Sequence, residues 1–194
     1  MAKQLVRVQI PGNYKPDEDY QGLEAAVINI ERSLKGVQVG LLNITEKTSY
    51  GAQLGILNGS GEFLGFNLGV FNLQDCFKGF SFGVLNDYKE STGFKIGGVN
   101  GNLSFSSSDE YSSGLDVAII NRAQDEYGLQ LGLWNVVKSE LNGVQIGIIC
   151  EADEGKYLQL GLITHRINRD KWYKSFSPFI GFGNKSGNSK KHKE

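Results

Sequence analysis

The sequence predicts an all-β chain of ten or eleven short repeated strands in an antiparallel up-and-down meander that curls into a barrel-like sheet. One eight-residue motif recurs ten times along the 194 residues. Its side chains alternate with period two, and polar stretches of hairpin size separate the copies. A short-coil β-solenoid is the alternative that the same units allow.

The motif is G-h-x-h-G-h-h-N, with h apolar and x usually Gln. It begins at Gly22, Gly36, Gly51, Gly65, Gly79, Gly93, Gly114, Gly128 and Gly143, with a degenerate tenth copy from Tyr157. The spacings are 14, 15, 14, 14, 14, 21, 14, 15 and 14 residues. The positions expected to carry the repeat are Gly36, Gly40 and Asn43; Gly51, Gly55 and Asn58; Gly65, Gly69 and Asn72; Gly79, Gly83 and Asn86; Gly128, Gly132 and Asn135; Gly143 and Gly147. Large apolar groups such as Val37, Val39 and Leu41, or Phe80, Phe82 and Val84, share one face of each strand. Gly and Gln take the other face. A helix would instead need three- and four-residue apolar steps, and two glycines per unit would cost it about 2 kcal/mol.

Between units, TEKTS, GSGE, LQDC, DYKES, RAQDE, VKSE and EADEG have the chemistry of turns. The long spacing contains a Ser-rich excursion, Gly101 to Ser113, expected to be a surface loop. After the last copy, Lys171 to Gly183 reads as one closing strand with Pro178 near its start, which suits an edge. The chain thus divides into a lead-in (1–21), one β-repeat domain (22–183) and a basic tail (184–194) expected to be disordered.

Chain length favours the meander. An eight-residue strand spans roughly 23 to 26 Å, and six further residues barely return that distance. A 14-residue coil therefore requires a bend at the middle glycine, and the return stretches lack a regular set of inward apolar residues. The identical columns argue the other way. Parallel stacking would build one ladder from Gln38 to Gln159 and another from Asn43 to Asn135, with Lys95 and Asp116 on adjacent rungs. Duplication of one ancestral unit explains the same columns without a ladder.

GVQVGLLN, GAQLGILN, GLQLGLWN and GVQIGIIC, with the aromatic closing strand, resemble a family of bacterial surface-repeat proteins of spirochaetes and Bacteroidetes. The similarity covers roughly Gly22 to Phe182. It implies surface or envelope association and no assigned activity.

Composition excludes several functions. Twenty basic and 21 acidic side chains leave a net charge of −1, so no field draws nucleic acid to the chain. Cys76 and Cys150 fit no ligand spacing and read as free thiols. No apolar run reaches the length of a membrane helix. The first residues lack the apolar core of a secretory signal, so the chain is either cytoplasmic or a mature form already processed. His165 reads as a strand-end polar residue and His192 lies in the tail; no nucleophile motif, phosphate loop or metal cluster is present, and no cofactor is expected. Four Asn-x-Ser/Thr sequons follow from abundant Asn. Phe66, Phe71, Phe80, Phe82, Phe94 and Trp134 could form a stacking platform for sugars or bases, but most lie on the apolar face and are expected in the core, Trp134 on the Gln face being the exception.

The leading expectation is a non-catalytic structural or interaction scaffold with an unidentified protein or surface partner. A small membrane β-barrel is the second, although three outward apolar residues per strand cover only about 15 to 20 Å of a roughly 25 Å apolar band. A barrel binding a small ligand is the third, with Lys95, Asp116 and Trp134 as its candidate binding residues.

Overall fold

The computed structural model describes residues 6–101, 111–166 and 176–185, with side chains at all of these except 9–18, 176, 184 and 185. The strands are β1 (Val6–Val39), β2 (Leu42–Leu54), β3 (Leu57–Leu68), β4 (Phe71–Gly101), β5 (Tyr111–Ala123), β6 (Asp125–Arg166) and β7 (Phe176–Lys185). They form one sheet in chain order. Successive strands from β1 to β6 pair in parallel, and β7 alone runs antiparallel to its neighbour. Gly36 lies beside Gly51, Gln38 beside Gln53 and Asn43 beside Asn58. The fold is a β-solenoid in which each motif copy is one coil.

The antiparallel meander is thereby corrected, and both arguments that favoured it fail for physical reasons. The chain does bend at the middle glycine: the strands break at Gly40–Leu41, Gly55–Ile56 and Gly69–Val70. Even these corners stay bonded from coil to coil, with Ile56 and Leu57 both donating to the Leu41 carbonyl. TEKTS and its counterparts are the second side of each coil, paired in parallel like the first, and not hairpin loops. That side does carry inward apolar groups, Leu34, Phe63, Phe77, Val137 and Leu141 among them, but they alternate irregularly with polar ones such as Thr45, Ser49 and Glu126, which is why no regular set shows in the sequence.

The expected assignment of the two faces is also corrected. The Gln, Asn and small side chains point inward, and the large apolar ones point outward. Phe66, Phe71 and Phe80 are exposed, Phe80 by 56%, while Phe82 and Phe94 are half-buried. Each outward side chain is still flanked by its equivalents one rung above and below, about 4.8 Å away, which removes part of its surface from water. Ring pairs along this face, such as Phe66 with Phe82 at 5.7 Å and Phe80 with Phe94 at 6.0 Å, belong to that stacking.

A buried amide is costly unless its donors and acceptors are bonded. The asparagine column meets that condition in a regular way. Asn43 Nδ2 donates to Asn58 Oδ1 at 2.8 Å and to the Leu54 carbonyl at 2.9 Å. Asn58, Asn72, Asn86 and Asn121 repeat both bonds one coil further on. The accepting carbonyl immediately precedes the glycine bend, so Asn holds the corner of the next coil. The column ends at Cys150, whose Sγ lies 3.8 Å from Asn135 Nδ2.

The glycines at the start of each unit serve backbone contact. At Gly51, φ is +129° and a Cβ would overlap the carbonyl oxygen of Gly36 in the coil below. At the bend, a Cβ on Gly55 would meet the Gly40 carbonyl oxygen at 2.5 Å as well as the side chains of Asn43 and Asn58. Ala26 and Ala118 occupy this second position in two coils, so it is the less strict of the two.

Where the inward Gln is replaced by smaller residues, the opposite inner wall enlarges. Asn67 and Ser81 coincide with Phe63, Phe77 and Tyr88, whose rings stack at 6.0 and 5.4 Å. Val137, Leu141, Ala152 and Tyr157 form a second apolar plug. Strand β7 covers the last rung, with Pro178 in the irregularity between its pairs at Ser177 and Phe179. The excursion expected as a loop falls largely on residues 102–110, outside the described residues, as does the tail beyond 185. The lead-in is continuous with the repeat: β1 starts at Val6, and Arg7 Nη1 pairs with Glu24 and Glu31 at 3.3 and 2.9 Å.

Candidate functional site

Three residues stood out in the sequence, and the fold separates them. Lys95 and Asp116 come together as adjacent rungs of the inner column. Both are sealed from solvent, with exposures of 0% and 3%. Lys95 Nζ lies 2.7 Å from Asp116 Oδ1, donates to Ser91 and Ser112 Oγ at 2.7 and 2.5 Å, and sits over the Tyr88 ring at 5.5 Å. Ser112 in turn donates to Asp116 Oδ2 at 2.9 Å. Trp134 is outside, 45% exposed, and its indole Nε1 donates to Glu151 at 3.0 Å. It borders an open groove of about 370 Å³ lined by Val99, Ile120, Arg122 and Val136.

A third charged residue, Glu126, completes the inner cluster and accepts a hydrogen bond from Gln130 at 3.2 Å. Burial, reinforced by the Asp116 charge, raises its carboxyl to about 7, against the opposing pull of Lys95. Burial also raises the Asp116 carboxyl, opposed by Lys95. Sequence reasoning missed Ser91, Ser112 and Glu126. Each stands two residues before a repeat glycine (Gly93, Gly114 and Gly128), a column that becomes visible once the return half is read as structure.

The remaining reactive groups are subdued. Burial raises the Cys150 thiol, and burial together with nearby Glu90 raises that of Cys76, whose Sγ is 3.6 Å from Glu90. His165 Nδ1 lies 3.8 Å from Glu151 at the end of β6. No group of three metal-binding side chains occurs among the described residues.

The outer surface is chemically uniform on one side only. Counting each motif from its glycine, positions two, four, six and seven point outward along the whole solenoid. They are apolar in all ten copies except for Gly98. Leu41, Val84, Ile119, Leu133 and Leu162, all at position six, are among the most exposed. The return half is mixed outside: ion pairs such as Lys89–Asp75 at 2.7 Å stand beside exposed Tyr50, Leu64 and Tyr127. Compared with protein-family models, with curated proteins and with solved structures, the chain matches none.

Proposed function

We propose that this protein is a non-catalytic repeat scaffold that docks its continuous apolar side on a partner at a cell surface or envelope. The observation that carries this reading is the apolar strip itself. Four outward columns over nine steps of about 4.8 Å make a surface roughly 43 Å long. With about 16 Å of chain contour from position two to seven it covers about 700 Å², above the roughly 300 to 600 Å² of the largest patch on an ordinary monomer. Surface or envelope association rests on the resemblance of the GxQxGxxN units to bacterial surface-repeat proteins.

A lipid-facing role has one supporting observation, the apolar-out and polar-in arrangement that the membrane-barrel reading required. It lacks the closed antiparallel sheet of such barrels. The small-ligand reading has less support, because Lys95 and Asp116 face the sealed interior while Trp134 faces out.

Fractionation of cells producing the full chain tests the proposal. The wild type is expected in the envelope fraction, and Leu133→Glu with Ile148→Glu is expected to release it while circular dichroism stays β. A wild type found in the cytosolic fraction of those cells, or release by Lys89→Ala instead, would overturn it.

A further inference from the structure

The partner of the apolar strip can be narrowed, granted that the strip is a docking surface. We propose that it is the same strip on a second copy of this chain, giving a side-by-side homodimer. Positions two, four and six of the motif, from Leu23 to Leu162, form a band of three columns. The band carries no charged side chain in any of the ten coils. Position six stands at the corner after the middle glycine, so the band wraps over that edge; along the chain contour it is roughly 43 Å long and 13 Å wide, about 600 Å². Stable interfaces cover about 600 to 1,000 Å² per partner, and those of homodimers are the more apolar.

Periodicity selects the occupant. Outward side chains recur at the inter-strand spacing, so the band is a set of ridges and grooves with one period. A second copy carries the same period and can seat its ridges between those of the first along the full length, as paired sheets do in dry zippers. A partner without that repeat would match only a few rungs. The net charge of −1 does not oppose self-association. Nor does it attract anionic lipid.

The ends of the solenoid are less suited to pairing. The last rung is already covered by antiparallel β7, so parallel stacking of copies end to end is interrupted there. At the other end, Arg7 is paired with Glu24 and Glu31.

Sedimentation velocity of the full chain in detergent-free buffer, with and without phosphatidylcholine vesicles, tests the assignment. The wild type is expected at twice the 21.3 kDa of one chain. Leu68→Glu, at position four, is expected to sediment as a monomer with unchanged β circular dichroism. Phe80→p-benzoylphenylalanine keeps an aromatic group in the band and is expected to photo-cross-link two copies, whereas the same probe at Lys89 yields none. This second readout decides the matter should Leu68→Glu fail to fold. A monomeric wild type overturns the homodimer. If that monomer floats with vesicles and Leu68→Glu abolishes flotation, the docking strip stands and lipid is its occupant. If it neither floats nor responds to Leu68→Glu, the docking reading falls as well. A dimer that cross-links through Lys89 and not Phe80 overturns the assignment to this face.

Discussion

The two halves of each coil obey different rules. From the first glycine to the Asn, every position has a fixed direction and a narrow chemistry: glycine against glycine in nine of ten copies, a polar third position inward, Asn inward in eight copies, and apolar groups outward except at Gly98. The return half tolerates variation. The extra residue of the 15-residue Gly36 unit is absorbed there as a bulge, with Glu46 and Lys47 opposite Gly61 alone. The longest insertion also falls there, between Gly101 and Tyr111. The contrast follows from what each half must do. The motif half carries the corner, the close backbone contact and the asparagine column, so one altered residue strains two neighbouring coils. The return half contributes two inward positions per coil, filled by anything from Ser to Phe, and an outer face in water.

Substitutions can break this contrast, and the largest expected effect is at the glycine contact. Gly51→Ala places a methyl on the Gly36 carbonyl at a backbone angle hostile to L-residues, and should cost about 4 kcal/mol or more in denaturant melts. Gly55→Ala, at the position where this chain itself carries Ala26 and Ala118, should cost about 1 to 2 kcal/mol.

Next comes the inner charge pair. Lys95→Met leaves Asp116 ionised in the interior or forces its protonation, and should cost about 3 to 5 kcal/mol. The double replacement Lys95→Met with Asp116→Leu should recover most of that loss, because an apolar pair of similar size needs no counter-charge. A double variant as unstable as the single would show that the charges do more than neutralise each other.

Glu126 gives the stability a pH dependence. In the unfolded chain its carboxyl titrates near 4.5, and in the folded protein near 7. The folded state therefore holds a proton that the unfolded state has released between these values. The stabilisation is complete below about pH 4.5 and is lost as pH rises through about 7, a difference on the order of 3 kcal/mol. Asp116, also raised, acts in the same direction. Glu126→Gln should flatten its share of the slope in melts taken from pH 4 to 8. A slope of opposite sign would contradict the buried placement.

The smallest effect belongs to the return half. Lys89→Ala removes an exposed ion pair with Asp75 and should leave the melting temperature unchanged.

Much of this was legible in the sequence, but not its direction. The two glycines and the Asn announced the repeat, and the parallel alternative, though not the favoured one, put Lys95 next to Asp116 across the one 21-residue spacing. Strand direction was not legible, because antiparallel hairpins and parallel coils share one period-two alternation along a single strand. Which face lies inside was not legible either. An apolar stripe is ordinarily read as core, and here coil-to-coil amide bonds offset enough of the burial cost for Gln and Asn to occupy the interior. Glu126 and Ser112 were hidden for the same reason: they lie in stretches whose polar composition matches turns, and only stacking reveals their column. The closing strand was legible from its aromatic residues and Pro178: Phe176–Lys185 is the one strand among the described residues that runs antiparallel, while 171–175 lie outside them.

The central claim is parallel, in-register stacking of ten coils, and one distance tests it. Nitroxide labels at Lys35 and Lys156, exposed residues immediately before the second and the last repeat units, are separated by eight rungs. Double electron–electron resonance should place them roughly 38 Å apart. A curled antiparallel barrel brings its first and last strands together, and a distance below about 20 Å would contradict the solenoid.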